Sequence, residues 1–316
     1  METCVTYFRI RVWGFPLTLT AFTLFGIFQG LQNTSIAMKI SILGGVLNLI
    51  LDVLLVFVFH WNVEGIAAAS LLAQGVICFL AMRFLLQKTP FGIYRIFPIH
   101  PDFSRAMSMS FDLFLRTLAL NFALFLAMRF ATLLGSHGDD RYVAAHALLV
   151  QLWLFSSYFL DGYAHAGTAI SGKLLGVADY TRLRHLVVDL LKIMLGIGVM
   201  LGGVYYVFRE PLVAFLTVSP RVQTAFLSVF WVVACMQPLN AVAFLMDGIY
   251  KGISETKILR NVLTTAVFLA FIPALLAFYY QGWGLLGIWL SFAIWMLYRG
   301  GLLSLYFFLK YLKSKE

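Results

Sequence analysis

The sequence predicts an all-α integral membrane protein with nine transmembrane helices. Three observations carry that class: the composition, the length of the apolar stretches, and an internal repeat. Of 316 residues, 61% are hydrophobic and only 12% are charged, against about 25% charged in an ordinary soluble domain. A soluble fold of this size still shows water roughly a quarter of its unfolded surface, so this much apolar side chain needs lipid as its solvent. The net charge of +9 does not point to nucleic acid, because Lys and Arg collect in the cytoplasmic loops of membrane proteins. Cys4, Cys78 and Cys235 are an odd, scattered set without metal-ligand spacing, which argues against a disulfide framework and a zinc site.

The apolar stretches fall near 11–30, 36–59, 64–86, 107–134, 142–170, 186–208, 223–249, 257–280 and 283–309. Each is long enough to cross roughly 30 Å of hydrocarbon at about 1.5 Å per residue. Met1 to Arg11 holds no apolar core followed by a small-residue cleavage site, so no cleavable signal peptide is expected there. The longest polar connection carries Pro90, Pro98 and Pro101. It divides the chain into 1–88 (three helices of one lobe), 89–106 (a cytoplasmic loop between lobes) and 107–316 (a complete six-helix lobe). With the first helix starting outside, the inner segments hold 14 Lys and Arg and the outer ones five, namely Arg9, Arg11, Arg141, Arg209 and Arg221. That bias sets the C-terminus in the cytoplasm.

The repeat has an offset of 222 residues. Gly14-Phe15-Pro16-Leu17 falls on Met236-Gln237-Pro238-Leu239, Phe22 on Phe244, Gly26-Ile27 on Gly248-Ile249, Gly30 on Gly252, Thr34 on Thr256 and Gly65-Ile66 on Gly287-Ile288. Matched helices run the same way through the membrane, so the repeat is parallel about the membrane normal. The three helices of 107–222 have no first-copy partners in the chain. The expectation is therefore nine helices of a twelve-helix, two-lobe, parallel-repeat design, truncated at its N-terminus.

Polar groups inside the helices are the candidates for chemistry, because ionisable side chains in hydrocarbon usually face a cavity or a partner. Asn48 and Asp52 share one face of the second helix, and Ser70 lies at matching depth in the third. An acid, an amide and a hydroxyl make an oxygen-rich pocket for a proton or a small hard cation; the plain alternative is hydrogen bonding to neighbouring helices. Asp112 and Arg116 form an acid-then-base i,i+4 pair, and an Asp161–Arg116 pair across helices is the other possibility. Asp247 is read as close to the cytoplasmic end and wet. Arg129 and Lys192 are read as snorkelling, and His146 and His165 as neighbour-bonding histidines or proton relays. Pro16, Pro238 and Pro273 are expected to interrupt helices. There is no phosphate-binding glycine loop, HExxH or nucleophile–base arrangement, so no enzyme is expected.

Several motifs in order resemble the multidrug and toxic compound extrusion (MATE) family, in its DinF-like branch. Tyr7-Phe8-Arg9-Ile10-Arg11 resembles the opening of that family's fourth helix, and Asn48-Leu49-Ile50-Leu51-Asp52 its fifth-helix N-x-x-L-D. Val63-Glu64-Gly65 through Ala69-Ser70 resembles the start of its sixth helix, with Ser for the usual Thr. Leu160-Asp161-Gly162-Tyr163-Ala164, Gly172 to Asp179 and Leu245-Met246-Asp247-Gly248 resemble its eighth- and tenth-helix signatures. The resemblance implies antiport: export of organic, often cationic or amphiphilic compounds against inward protons or sodium, by a monomer in the cell (inner) membrane. It implies no cofactor beyond the coupling ion, no metal and no nucleic-acid partner. It also implies that Asn48, Asp52 and Ser70 bind the cation, and that an acidic residue of the family's first helix has no counterpart here. A lipid-linked sugar or lipid flippase, which a basic cavity around Arg116 and Arg129 would favour, and an inactive gene fragment are the alternatives.

Overall fold

The computed structural model describes residues 2–88, 102–135 and 139–312. The described residues form helices joined by short turns, and seven of those helices are long and apolar enough to cross a membrane. The number rises to nine if each of two bent pairs is one span. The chain divides into two compact units, Met1–Ile99 and His100–Glu316. Residues 89–101 of the expected inter-lobe loop lie outside the described residues, and the helix after it already begins at Phe103.

The first unit comprises α1 (Glu2–Val12), α2 (Gly14–Gly30), α3 (Thr34–Val53, continued by a π-helical turn over Leu54–Val58) and α4 (Asn62–Lys88). α1 lengthens the first expected span: Cys4–Val12 and Gly14–Gly30 meet at a 44° bend. Pro16 lacks an N–H, and its ring crowds the carbonyl four residues back, at Val12, which is where the helix breaks. Arg9 and Arg11, read from sequence as an outer flank, therefore lie inside the helical span. The core of this unit is small, built on Leu24, Phe28, Ile36, Ile40, Ala81 and Leu85.

The second unit runs through α5 (Phe103–Leu134), α6 (Arg141–Gly176), α7 (Tyr180–Val207), α8 (Arg209–Leu216), α9 (Pro220–Cys235) and α10 (Gln237–Gly252). It ends with α11 (Thr256–Thr265, continued as a π-helix over Ala266–Phe271), α12 (Ile272–Tyr280) and α13 (Gly284–Leu312). Asp179 caps α7, its carboxylate accepting from the Arg182 backbone N–H at 2.9 Å, a contact that satisfies one orphan donor of the first turn. α9 and α10 meet at a 53° bend just before Pro238. Pro16 and Pro238 mark breaks, as the sequence predicts, whereas Pro273 follows the second π-helix within a span, Thr256–Tyr280, that continues unbroken.

α10 is the centre of the second unit, enclosed by α6, α7, α9 and α13. Its glycines permit that. A Cβ on Gly248 would come within 2.4 Å of the Ala164 carbonyl oxygen, and one on Gly252 within 2.4 Å of the Thr168 carbonyl oxygen. Small residues let helix backbones approach closely in lipid, where packing rather than hydrophobicity drives association. The approach brings Thr168 Oγ1 to 2.8 Å from the Gly248 carbonyl, to which it donates.

The repeat extends to the backbone. α3 and α11 start 222 residues apart, at Thr34 and Thr256, and α4 and α13 do too, at Asn62 and Gly284. Left-handed residues match as well: Gln32 with Ser254, His60 with Gly282, and Asn62 with Gly284.

Candidate functional site

In the first unit the predicted trio comes together in part. Asn48 on α3 donates from Nδ2 to Ser70 Oγ on α4 at 3.5 Å, the long end of hydrogen-bond range. Asp52 is half-buried one turn further along α3. Its Oδ1 is buried and has no hydrogen-bond partner among the described residues. A buried acceptor without a donor costs about 1–3 kcal/mol. Asn48 and Ser70 also line a cavity of ≈ 330 Å³ together with Arg11 and Gln74.

The second unit rearranges its predicted charges. Asp112 does not pair with Arg116: it accepts from Arg260 Nη1 at 2.5 Å and from Thr256 Oγ1 at 3.1 Å. Arg116 reaches Asp247 instead. Neither the i,i+4 pair nor the Asp161–Arg116 pair forms, because α5 presents Asp112 to α11 and Arg116 to α10. Asp247 is not wet. It is 1% exposed and is held by a second cation, Arg299 of α13, whose Nε donates to Oδ1 at 3.1 Å while Nη2 reaches Oδ2. Arg299 is wholly buried and lies 5.2 Å over the Phe244 ring. A fork of two parallel N–H donors is the strongest geometry for a carboxylate.

Asp161 is half-buried, with Lys251, His165, Asp247 and Arg299 within electrostatic reach, and no described residue forms a salt bridge with it. The cluster therefore sets Arg116, Arg299 and Lys251 against Asp161 and Asp247. Sequence reasoning missed Arg299. Its signal was its position midway along the last apolar stretch, where an arginine is costly unless paired. His146 is packed in the aromatic core, 5.7 Å from Trp289 and 6.3 Å from Phe292 between ring centroids, and its Nδ1 has no partner among the described residues. His165 is exposed.

These features recur in known proteins. The profile of the MatE family matches residues 114–276, more than half of the chain. The chain belongs to the MatE family. Protein DETOXIFICATION 42 of Arabidopsis thaliana is 30% identical over 301 residues, covering 93% of this MatE chain and 55% of its own length. DNA damage-inducible protein F of Escherichia coli (strain K12) is 27% identical over 305 residues, covering 95% of this chain and 65% of its own. The chain thus spans about half to two thirds of the curated relatives it matches. Among solved structures, a MOP superfamily transporter from Pyrococcus furiosus superposes with a TM-score of 0.91 at 19% identity, over 99% of this chain and 70% of that one. This MatE chain is a multi-pass membrane protein with the fold of those transporters.

Proposed function

We propose that this MatE protein is a secondary active exporter of organic compounds, driven by inward protons or sodium, with Asp52 as the coupling group and Asn48 and Ser70 as its neutral partners. The observation that carries this reading is the buried, unpartnered Oδ1 of Asp52, one turn from the Asn48–Ser70 contact. Asp161, Arg116, Asp112 and Asp247 form the charged framework of the second unit. Asp112 and Asp247 are engaged by arginines, so they are poor candidates for taking up an ion. Arg116 is paired with Asp247 rather than left free, which weighs against the flippase reading. The names of the curated relatives, a DETOXIFICATION protein among them, accord with export of small organic molecules. The protein works as a monomer in a cell membrane with its C-terminus in the cytoplasm.

The test is transport in proteoliposomes under an imposed proton or sodium gradient, with ethidium and carboxyfluorescein as cationic and anionic probes. Asp52→Asn should abolish gradient-driven movement of the exported probe while leaving the protein folded. Wild-type rates in that variant would refute the assignment and make Asp161 the next candidate.

A further inference from the structure

A separate cavity lies in the second unit, where α6 and α9 begin. Its volume is ≈ 380 Å³, and its walls bring together Arg141 and Tyr142 of α6 with Arg221, Thr224 and Ser228 of α9. Lys and Arg are sparse on the outer side of a membrane protein. Of the five basic residues that the sequence sets there, Arg141 and Arg221 meet in this one cavity. No acid is among the lining residues.

Both guanidinium groups have donors to spare. Arg141 Nε lies 2.9 Å from the Asp139 carboxylate, and its Nη2 donates to the Tyr142 hydroxyl at 2.9 Å. Those contacts orient the fork and leave Nη1 without a partner among the described residues. Arg221 pairs with no described residue. Asp139 thus offsets one of two positive charges, and Asp140, at the exposed N-cap of α6, adds no side chain to the lining.

Along α9 the wall then changes in steps. Arg221, Thr224, Ser228 and Trp231 share one helix face, and Ser228 lies two turns, about 10 Å, along the helix from Arg221. The hydroxyls of Thr224 and Ser228 donate to the Pro220 and Ala225 carbonyls at 2.9 and 2.7 Å, and a hydroxyl hydrogen can rotate to another acceptor. Trp231, next on the face, is 47% exposed. Guanidinium forks suit phosphate oxygens. Forks, then hydroxyls, then a bare aromatic surface follow the order of phosphate, glycerol esters and acyl chain in a phospholipid. A free phosphate would use only the first of the three.

We propose that this cavity binds an anionic phospholipid, with Arg141 and Arg221 on the phosphate, Thr224 and Ser228 against the glycerol esters and Trp231 under an acyl chain. The site is additional to export. It is tested at equilibrium without an ion gradient, so its failure leaves the coupling role of Asp52 untouched, and the reverse holds too.

The experiment is native mass spectrometry of the purified full chain in detergent, titrated with dioleoylphosphatidylglycerol, dioleoylphosphatidylcholine and glycerol phosphate. Phosphatidylglycerol should bind most tightly. Phosphatidylcholine, which carries its own cation, should bind at least threefold more weakly, and glycerol phosphate should not bind measurably. The double variant Arg141→Gln/Arg221→Gln should weaken the tightest phosphatidylglycerol adduct at least fivefold. Arg209→Gln is the control, because Arg209 sits over the Tyr206 ring and beside Glu210, outside the cavity, and it should bind lipid as the wild type does. Ser228→Leu gives a second route that leaves the charge alone. Ser228 is exposed and its hydroxyl bonds only within its own helix, so that variant should fold and lose the lipid by filling the space. Phosphatidylcholine as tight as phosphatidylglycerol, glycerol phosphate as tight as either lipid, unchanged lipid affinity in both the double variant and Ser228→Leu, or an equal loss in Arg209→Gln would overturn the proposal.

Discussion

The first repeat (α1–α4) and the second (α9–α13) share helix starts, bends and left-handed turn residues, yet their interiors are opposites. Where the first repeat has Ser41, Gly45, Ser70 and Ala73 around its cavity, the 222 offset puts Leu263, Val267, Phe292 and Trp295, all buried in the second unit's core. Where the first has Phe25 and Ile77 on the cavity wall, the second has Asp247 and Arg299, its fully buried ion pair. Asn48 and Asp52 in turn face alanines in the second copy, Ala270 and Ala274. One backbone can thus border an open cavity or hold a sealed charge. The choice is made by side-chain volume, because close-packed interiors leave no room that a bulky residue has already filled.

The largest effect should come from the sealed charge. Arg299→Leu leaves Asp247 with Arg116 alone, and removing one partner from a buried pair costs about 3–5 kcal/mol. Thermal unfolding in detergent should show a marked drop in Tm. The triple variant Arg116→Leu/Asp247→Asn/Arg299→Leu should recover part of it, because it removes the acid and both arginines together and leaves none of the three unpaired. A single variant as stable as the wild type would mean that the pair is not sealed and that the contrast between the repeats is overdrawn.

A middle-sized effect separates matched glycines. In the second copy Gly248 and Gly252 touch α6 backbone, whereas nothing lies within 4 Å of a Cβ on their first-copy partners, Gly26 and Gly30. Gly252→Ala should therefore cost about 1–3 kcal/mol by overpacking. Gly30→Ala should be neutral or stabilising by up to about 1 kcal/mol, the helix-propensity gain. Equal effects in the two copies, read as shifts in unfolding midpoint, would show that the repeats pack alike after all.

Class, spans and repeat were legible because they follow from the numbers of apolar residues and from one constant offset, which need no knowledge of neighbours. The Asp247-Gly248 motif was legible as a motif, but its two halves do different things: the glycine admits α6 and the acid binds α13. The pairing of Arg116 was not legible: the sequence offered Asp112 and Asp161 as its partners and set Asp247 aside as wet, whereas the rotation of α5 about its axis turns Arg116 to Asp247. Arg299 was overlooked because a single cation in an otherwise apolar helix leaves no periodic trace. The Asn48–Ser70 contact was legible for the converse reason, as both residues stand at one depth on helices joined by a short turn. Arg11 was misplaced because α1, with its Arg9 and Arg11, is less apolar than the helices after it, so the hydrophobic stretch seemed to begin too late.

The smallest expected effect concerns the turn between the last two helices of each repeat. His60 in the first copy has φ 56° and its counterpart Gly282 has φ 75°, so the same left-handed step is made by a residue with a Cβ in one copy and by glycine in the other. A left-handed conformation costs an L-residue roughly 1–2 kcal/mol, while glycine gives back about 0.5–1 kcal/mol through the freedom it loses on folding. His60→Gly should therefore stabilise the protein by a few tenths of a kcal/mol, and Gly282→His should destabilise it by a similar amount. The opposite signs are the informative part. A substitution that merely disturbed the loop would lower stability in both copies, whereas a shared backbone with unequal residues requires one variant to unfold later than the wild type and the other earlier. Chemical or thermal unfolding of both variants, compared in the same lipid or detergent, decides between the two.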